Sequence, residues 1–236
     1  MGTIKQGILG GFSGRVGTVI GSSWKSVNYM RAMAISISNP KTEKQQLQRG
    51  KFLKAISFLK TITPFVRIGY KGYEWKQSAF NAAMSYVMKN AMASNGTVDY
   101  SKVLVTHGSL TAAMNATVNV EGDKVSYTWQ DNSGTGDAKT MDTAMLLVYN
   151  KDKREAIYDM NAATRSDTKA ELTLPSNWSG NALAVYLSFC NEDSKSVANS
   201  VCLKNDDADE GNDTPNPGGG SGSGGSGEDQ NENPLG

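Results

Sequence analysis

The spacing of hydrophobic positions changes character along the chain. Over residues 43–62 the apolar side chains Phe52, Ala55, Ile56, Leu59 and Ile62 recur every three or four residues, which predicts a helix with one buried stripe. Thr42 caps it, and Gln45, three residues on, closes a capping box. Pro64 ends or restarts that helix. A further helix over 78–92 buries Phe80, Ala83, Met84, Val87 and Ala91. From about residue 100 the period shortens to two. Strands are predicted over 102–106, 116–120, 124–130, 144–149, 155–159, 170–174, 182–189 and 196–203, with Gly, Asn and Asp turns between them. Val125, Tyr127 and Trp129 share one side of the third of these.

Ahead of the helices, residues 15–20 and 27–33 alternate on either side of 21–26. This predicts a β-hairpin with Trp24 and Lys25 at its tip and Arg15 and Arg31 along its arms. Gly7, Gly10, Gly11, Gly14, Gly17 and Gly21 crowd this region. A phosphate-cradling loop would need a lysine after its last glycine, but Gly21 is followed by Ser22-Ser23. These glycines are read as allowing tight turns and close backbone approach.

Three segments result. Residues 1–95 form a hairpin–helix module, 100–205 a β-sandwich, and 206–236 a disordered tail. The fold class is α+β. The sandwich resembles the fibronectin type III and immunoglobulin-like domains, through Trp129 on an early strand, Leu174-Pro175 before a turn and Tyr186 on a late strand. The tail is acidic, then Pro215-Asn216-Pro217, then Gly and Ser alone over 218–227. It ends in Glu232-Asn233-Pro234-Leu235-Gly236, and Leu235 is the only large apolar side chain after Leu203. Asn233, Pro234, Leu235 and Gly236 are therefore candidate docking residues.

Charge sharpens this division. Residues 1–92 hold 14 Lys/Arg against Glu43 and Glu74, whereas 206–236 hold eight carboxylates and no basic residue. The net charge of +1 hides that polarity. A cationic front segment points to a polyanion or an acidic surface. Arg15, Trp24, Lys25, Arg31, Lys41, Lys44, Arg49, Lys51 and Lys54 are the candidate contact residues: cations for phosphates, and an indole to stack on a base. The acidic tail folding back over this segment is an internal alternative.

Other chemistry finds little footing. One histidine, His107, and two cysteines, Cys190 and Cys202, supply neither a metal-ligand spacing nor a nucleophile–base pair. The cysteines are read as buried thiols on the last two strands, near enough to be neighbours. The loop Asp131-Asn132-Ser133-Gly134-Thr135-Gly136-Asp137, with Asp142 nearby, is oxygen-rich but lacks the order of a calcium loop. Asp152 with Lys153-Arg154-Glu155, and Arg165 with Asp167, read as exposed ion pairs. No enzyme, metal or cofactor is expected.

No apolar run is long enough to span a membrane. Arg15 interrupts the apolar run after Lys5, and no cleavage pattern follows, so a cytoplasmic start is expected. The passages Met1 through Gly14, Val16-Gly17 through Ser23-Trp24-Lys25, Thr42…Gln45…Arg49…Phe52, Val197-Ala198-Asn199-Ser200 and Glu232 to Gly236 resemble an uncharacterised Bacteroidota family, domain-of-unknown-function family 6266. The middle signature is also similar to small phage and prophage structural-operon proteins. That likeness implies a virion-assembly or mobile-element component that binds a partner protein or itself. Sequence-tolerant nucleic-acid binding and an exported adhesive role are the alternatives.

Overall fold

The computed structural model describes residues 2–4, 12–25, 27–34, 41–73, 77–193 and 195–206. The first four strands, β1 (Gly2–Ile4), β2 (Gly14–Val16), β3 (Val19–Trp24) and β4 (Val27–Ala32), form one antiparallel sheet in the order β1-β4-β3-β2. The expected hairpin is therefore part of a larger sheet, and its first arm is folded in two. Val16 pairs with Val19 around Gly17, whose φ of +58° is one that glycine adopts without strain. Residues 21–24, expected to lie between the two arms, continue strand β3 up to the turn.

Helix α1 (Glu43–Thr61) matches its predicted span, and Pro64 starts α2 (Thr63–Gly69) rather than ending the helical region. Helix α3 (Ala79–Asn90) is capped by Ser78, whose Oγ accepts from the Asn81 N–H at 3.2 Å. Two details of α1 differ from expectation. The Thr42 side chain makes no cap hydrogen bond, so the capping box is not formed. One forms instead at Thr164–Asp167. Phe52 is 46% exposed, because burial on α1 begins only at Ala55 and continues through Phe58, Leu59 and Ile62.

Seven strands follow. β5 (Met114–Glu121), β6 (Lys124–Gln130) and β9 (Lys169–Thr173) make one sheet. β7 (Thr143–Asn150), β8 (Glu155–Thr164), β10 (Leu183–Cys190) and β11 (Val201–Asn205) make the other, in the order β11-β10-β7-β8. Their apolar faces meet around Trp129, Leu146, Val148, Leu172, Trp178, Val185, Leu187 and Phe189, which is the expected immunoglobulin/fibronectin-III-like sandwich. Residues 102–106 are not a strand. A 3-10 turn (Tyr100–Lys102) leads into an extended stretch whose Val105 N–H bonds the Ser200 hydroxyl at 2.9 Å. The last strand starts at Val201, since residues 197 and 198 make only isolated bridges.

The four-stranded sheet is buried on both faces. Leu146, Val148, Val185 and Leu187 point into the sandwich, while Met145, Leu147, Tyr149, Ala184 and Tyr186 point the other way, into a core shared with the helices. Phe58 of α1 meets Tyr149 and Tyr100 edge-on at 4.8 and 5.4 Å, and Phe65 of α2 meets Tyr158 at 6.0 Å. Gly69 closes the packing: a Cβ there would lie 2.7 Å from both the Thr106 methyl and the Val105 carbonyl. The expected boundary at 95–100 thus falls inside one continuous core. The tail beyond residue 206 lies outside the described residues.

Candidate functional site

Strand register puts three of the candidate polyanion-contact positions, Arg15, Trp24 and Arg31, in relation. Arg15 pairs with Ile20 across β2–β3, and Ile20 pairs with Arg31 across β3–β4. Directly opposed residues share a face, so Arg15 and Arg31 flank Ile20 on one side of the sheet, about 10 Å apart at two strand spacings. Ser22 and Trp24 lie on that face by the two-residue period, as do their partners Tyr29 and Val27. Arg15 and Arg31 are exposed, Trp24 is 56% exposed, and Ile20 and Tyr29 are half-buried. The Arg15 Nε donates to the Gly17 carbonyl at 3.1 Å, which orients its guanidinium beside the turn.

The opposite face differs because Gly21 has no side chain. Phe12 lies over it, with its carbonyl and ring 2.3–2.6 Å from where a Cβ would stand. Lys25 sits at the β3–β4 turn with φ +45°, a left-handed conformation suited to a two-residue hairpin. It stands beside Trp24 as expected. Tyr29 and Ile20 were missed as face residues; counting alternate positions from Trp24 and Arg31 would have found both.

The helical candidates do not share one side of α1. Lys44 and Lys51 lie on the same side of α1 as the buried Ala55 and Ile62, by the repeat of 3.6 residues. The Lys51 stem packs near Gly96. Arg49 and Lys54 point in two other directions, and Lys41 precedes the helix. Arg49 instead borders a shallow groove with Gln45, Gln48, Phe52 and Leu53. Asn233, Pro234, Leu235 and Gly236 lie outside the described residues.

The other chemically suggestive groups have structural partners. Asp131 accepts from Ser133, and Asp137 accepts from the Thr111 N–H at 2.8 Å and its hydroxyl at 2.7 Å. These hydrogen bonds hold both carboxyls below the usual range. The exposed Arg165–Asp167 pair is not formed. Arg165 is fully buried, bonding Asp142 at 3.1 Å, Asn132 at 2.7 Å and the Thr111 carbonyl at 2.9 Å, while Asp167 accepts from Thr164. Asp152 stays exposed, and its carboxylate accepts from the Ala182 N–H at 2.7 Å and the Asn181 side-chain amide at 3.2 Å. His107 is stacked on Tyr73 at 4.7 Å, and burial lowers its pKa. The Thr106 and Ser188 hydroxyls lie 2.7 Å apart and both reach the Ala198 carbonyl. Register sets Cys202 opposite Tyr186, four residues along β10 from Cys190, or about 13 Å. The cysteines are thus not neighbours.

A family of unknown function (DUF6266) matches residues 11–204, and the chain belongs to that family. No curated protein matches. The solved structures it is similar to include the fn3 domain of human collagen alpha-1(XX) chain, at 11% identity and a TM-score of 0.30, covering 47% of this chain and 98% of that one. The fn3 domain of human contactin 1 is similar at 13% identity and a TM-score of 0.29, covering 48% and 88%. Among the described residues no helix is long and apolar enough to cross a membrane.

Proposed function

We propose that this member of a family of unknown function is a non-enzymatic binding protein whose N-terminal sheet grips an anionic partner. The observation that carries the reading is the cross-strand line Arg15–Ile20–Arg31, with Trp24 and Tyr29 on the same face. Two guanidiniums at fixed spacing supply paired contacts to phosphate or carboxylate oxygens. An exposed indole and a phenol between them supply a stacking platform. No carboxylate occurs between residues 12 and 34 to neutralise them.

The helices and the sandwich serve as the support. Among the described residues, the buried ionisable groups are spent on structure: Arg165 and Asp142 on each other, Tyr186 on the Tyr100 carbonyl. The hydroxyl pair Thr106–Ser188 bonds to a backbone carbonyl rather than to a base. Attachment through the sheet, with the sandwich carried behind it, suits an assembly component that contacts nucleic acid or an acidic protein surface.

The test is binding of the full chain to a fluorescent single-stranded oligonucleotide as salt is varied. Wild type should bind at low salt, with affinity falling steeply as salt rises. Arg15→Ala/Arg31→Ala should flatten the log–log salt slope by about 1.4, two phosphate contacts at ~0.7 each. Trp24→Ala should weaken binding with little change of slope. Equal binding by all three proteins would reject the face as the contact surface.

A further inference from the structure

Two buried donors stand without an acceptor among the described residues, the Trp178 indole Nε1 and the Asn150 side-chain Nδ2. Register brings them to the same end of the sandwich. Asn150 pairs directly with Leu183 across β7–β10 and shares its inward face, as Val148 does with Val185 two residues on. Leu183 and Trp178 both belong to the core beneath that face. The Asn150 amide cannot be flipped to hide its donor, because its oxygen accepts from the Lys153 N–H at 3.0 Å. The Lys153 ammonium then donates to the Asn177 carbonyl at 2.6 Å, which holds the turn carrying Trp178 against the end of β7. A donor left unpaired at 0 or 2% exposure is costly and calls for an acceptor.

Trp178 and Leu183 also line a cavity of about 480 Å³ at this end of the sandwich, a volume that suits a small molecule. Asp152, Asn181, Lys204 and Asp206 supply polar groups to its wall. The Asp152 Oδ2 accepts from the Ala182 N–H and the Asn181 amide, and the Asp206 Oδ2 from the Leu183 N–H at 3.2 Å and the Lys204 ammonium at 3.0 Å. Among the described residues each carboxylate therefore keeps its Oδ1 for a further donor. We propose that this cavity binds a neutral polyhydroxylated ligand, a sugar unit, with one oxygen accepting from the Trp178 indole and hydroxyl protons donated to Asp152 and Asp206. The pattern of donors and acceptors selects the class. Two carboxylates against one ammonium repel an anion. An ammonium ligand would suit the carboxylates but gives the stranded indole no acceptor. A hydroxyl both donates and accepts, so neighbouring hydroxyls satisfy the two sets together.

This site is separate from the N-terminal sheet, and its test contains no polyanion. The nitrogen-labelled full chain would be titrated with glucose, galactose, mannose and N-acetylglucosamine while the Trp178 indole N–H signal is followed. At least one sugar should shift that signal saturably at millimolar concentration and leave the Trp24 and Trp129 indoles still. By calorimetry, Asp152→Asn and Trp178→Phe should each weaken that sugar on the order of tenfold, whereas Arg15→Ala/Arg31→Ala should bind it as wild type does. No response of the Trp178 indole to any of the four would overturn the proposal and leave its N–H to a buried water. Equal affinity in wild type and Asp152→Asn would overturn it too, by placing the sugar elsewhere. A shift produced by triglycine and by none of the sugars would assign the cavity to a peptide instead.

Discussion

The Arg165 guanidinium and the Asp142 carboxylate meet at 3.1 Å with side chains 0 and 1% exposed, at the junction of β8 with the loop that precedes β7. Arg165 also lies 4.0 Å from the Phe189 ring centre, and its carbonyl accepts from the Trp129 indole at 2.8 Å. Burial pulls the arginine below its ordinary pKa, and Asp142 pulls against that shift. The pair, with Asn132 and Thr111, ties the oxygen-rich loop 131–142 to the sandwich core.

Removing one partner strands the other's charge in the core. Arg165→Ala is expected to cost about 3–5 kcal/mol in urea unfolding, whereas Arg165→Met/Asp142→Leu should recover most of that loss. Full stability in Arg165→Ala would show that water reaches Asp142.

The sheet with two buried faces makes a prediction about fragments. Residues 100–206 alone would expose Met145, Leu147, Tyr149, Ala184 and Tyr186, which the helices cover in the whole chain. A patch of that size should drive association, so the fragment is expected to aggregate or elute as oligomers by size exclusion. A soluble monomeric fragment would mean the sandwich is self-sufficient. Within the full chain, Phe58→Ala should cost about 3–5 kcal/mol.

His107 supplies a pH dependence. Its folded-state pKa lies below the ordinary 6.5 because burial disfavours the charged ring. The unfolded chain therefore binds the proton first, and stability falls as pH drops below about 6.5. Thermal melts between pH 7.5 and 5 should show that loss in wild type and a smaller one in His107→Phe, which keeps a ring against Tyr73. The lowered carboxyls of Asp99, Asp131, Asp137 and Asp167 act only at lower pH, their stabilisation being lost as pH falls below their ordinary 3.8.

The cysteines should stay apart. Burial raises the Cys202 thiol, and the register keeps it about 13 Å from Cys190. Mild oxidant should therefore leave the intact mass without an internal disulfide, and alkylation at neutral pH should be slow. A rapid loss of two hydrogens would contradict the register.

Much of this architecture could be read from the residues alone. The period of 3.6 around Ala55, Leu59 and Ile62 marked α1, and the alternation of Val125, Tyr127 and Trp129 marked β6 with its inward face. The division into layers was not recovered, although a signal existed. Ala144 through Tyr149 and Leu183 through Phe189 are nearly continuous apolar runs, the mark of strands covered on both sides. Periodicity puts Phe52 in the core because it locates a stripe without saying how far a helix projects past its support. Local pattern puts Arg165 at the surface because its partner Asp142 lies 23 positions away in sequence, a distance that no such pattern spans. On the N-terminal sheet, the basic tip was legible at Trp24 and Lys25, whereas the pairing of Arg15 with Arg31 through Ile20 required the register.

The most direct measurement is a map of nitrogen and proton shifts on the labelled full chain as a single-stranded oligonucleotide is added at low salt. The account predicts perturbation at Arg15, Ile20, Tyr29, Arg31 and the Trp24 indole N–H, reversed by added salt, while the buried Trp129 and Trp178 indoles stay still. Shifts confined to the sandwich, or none at any concentration, would contradict it.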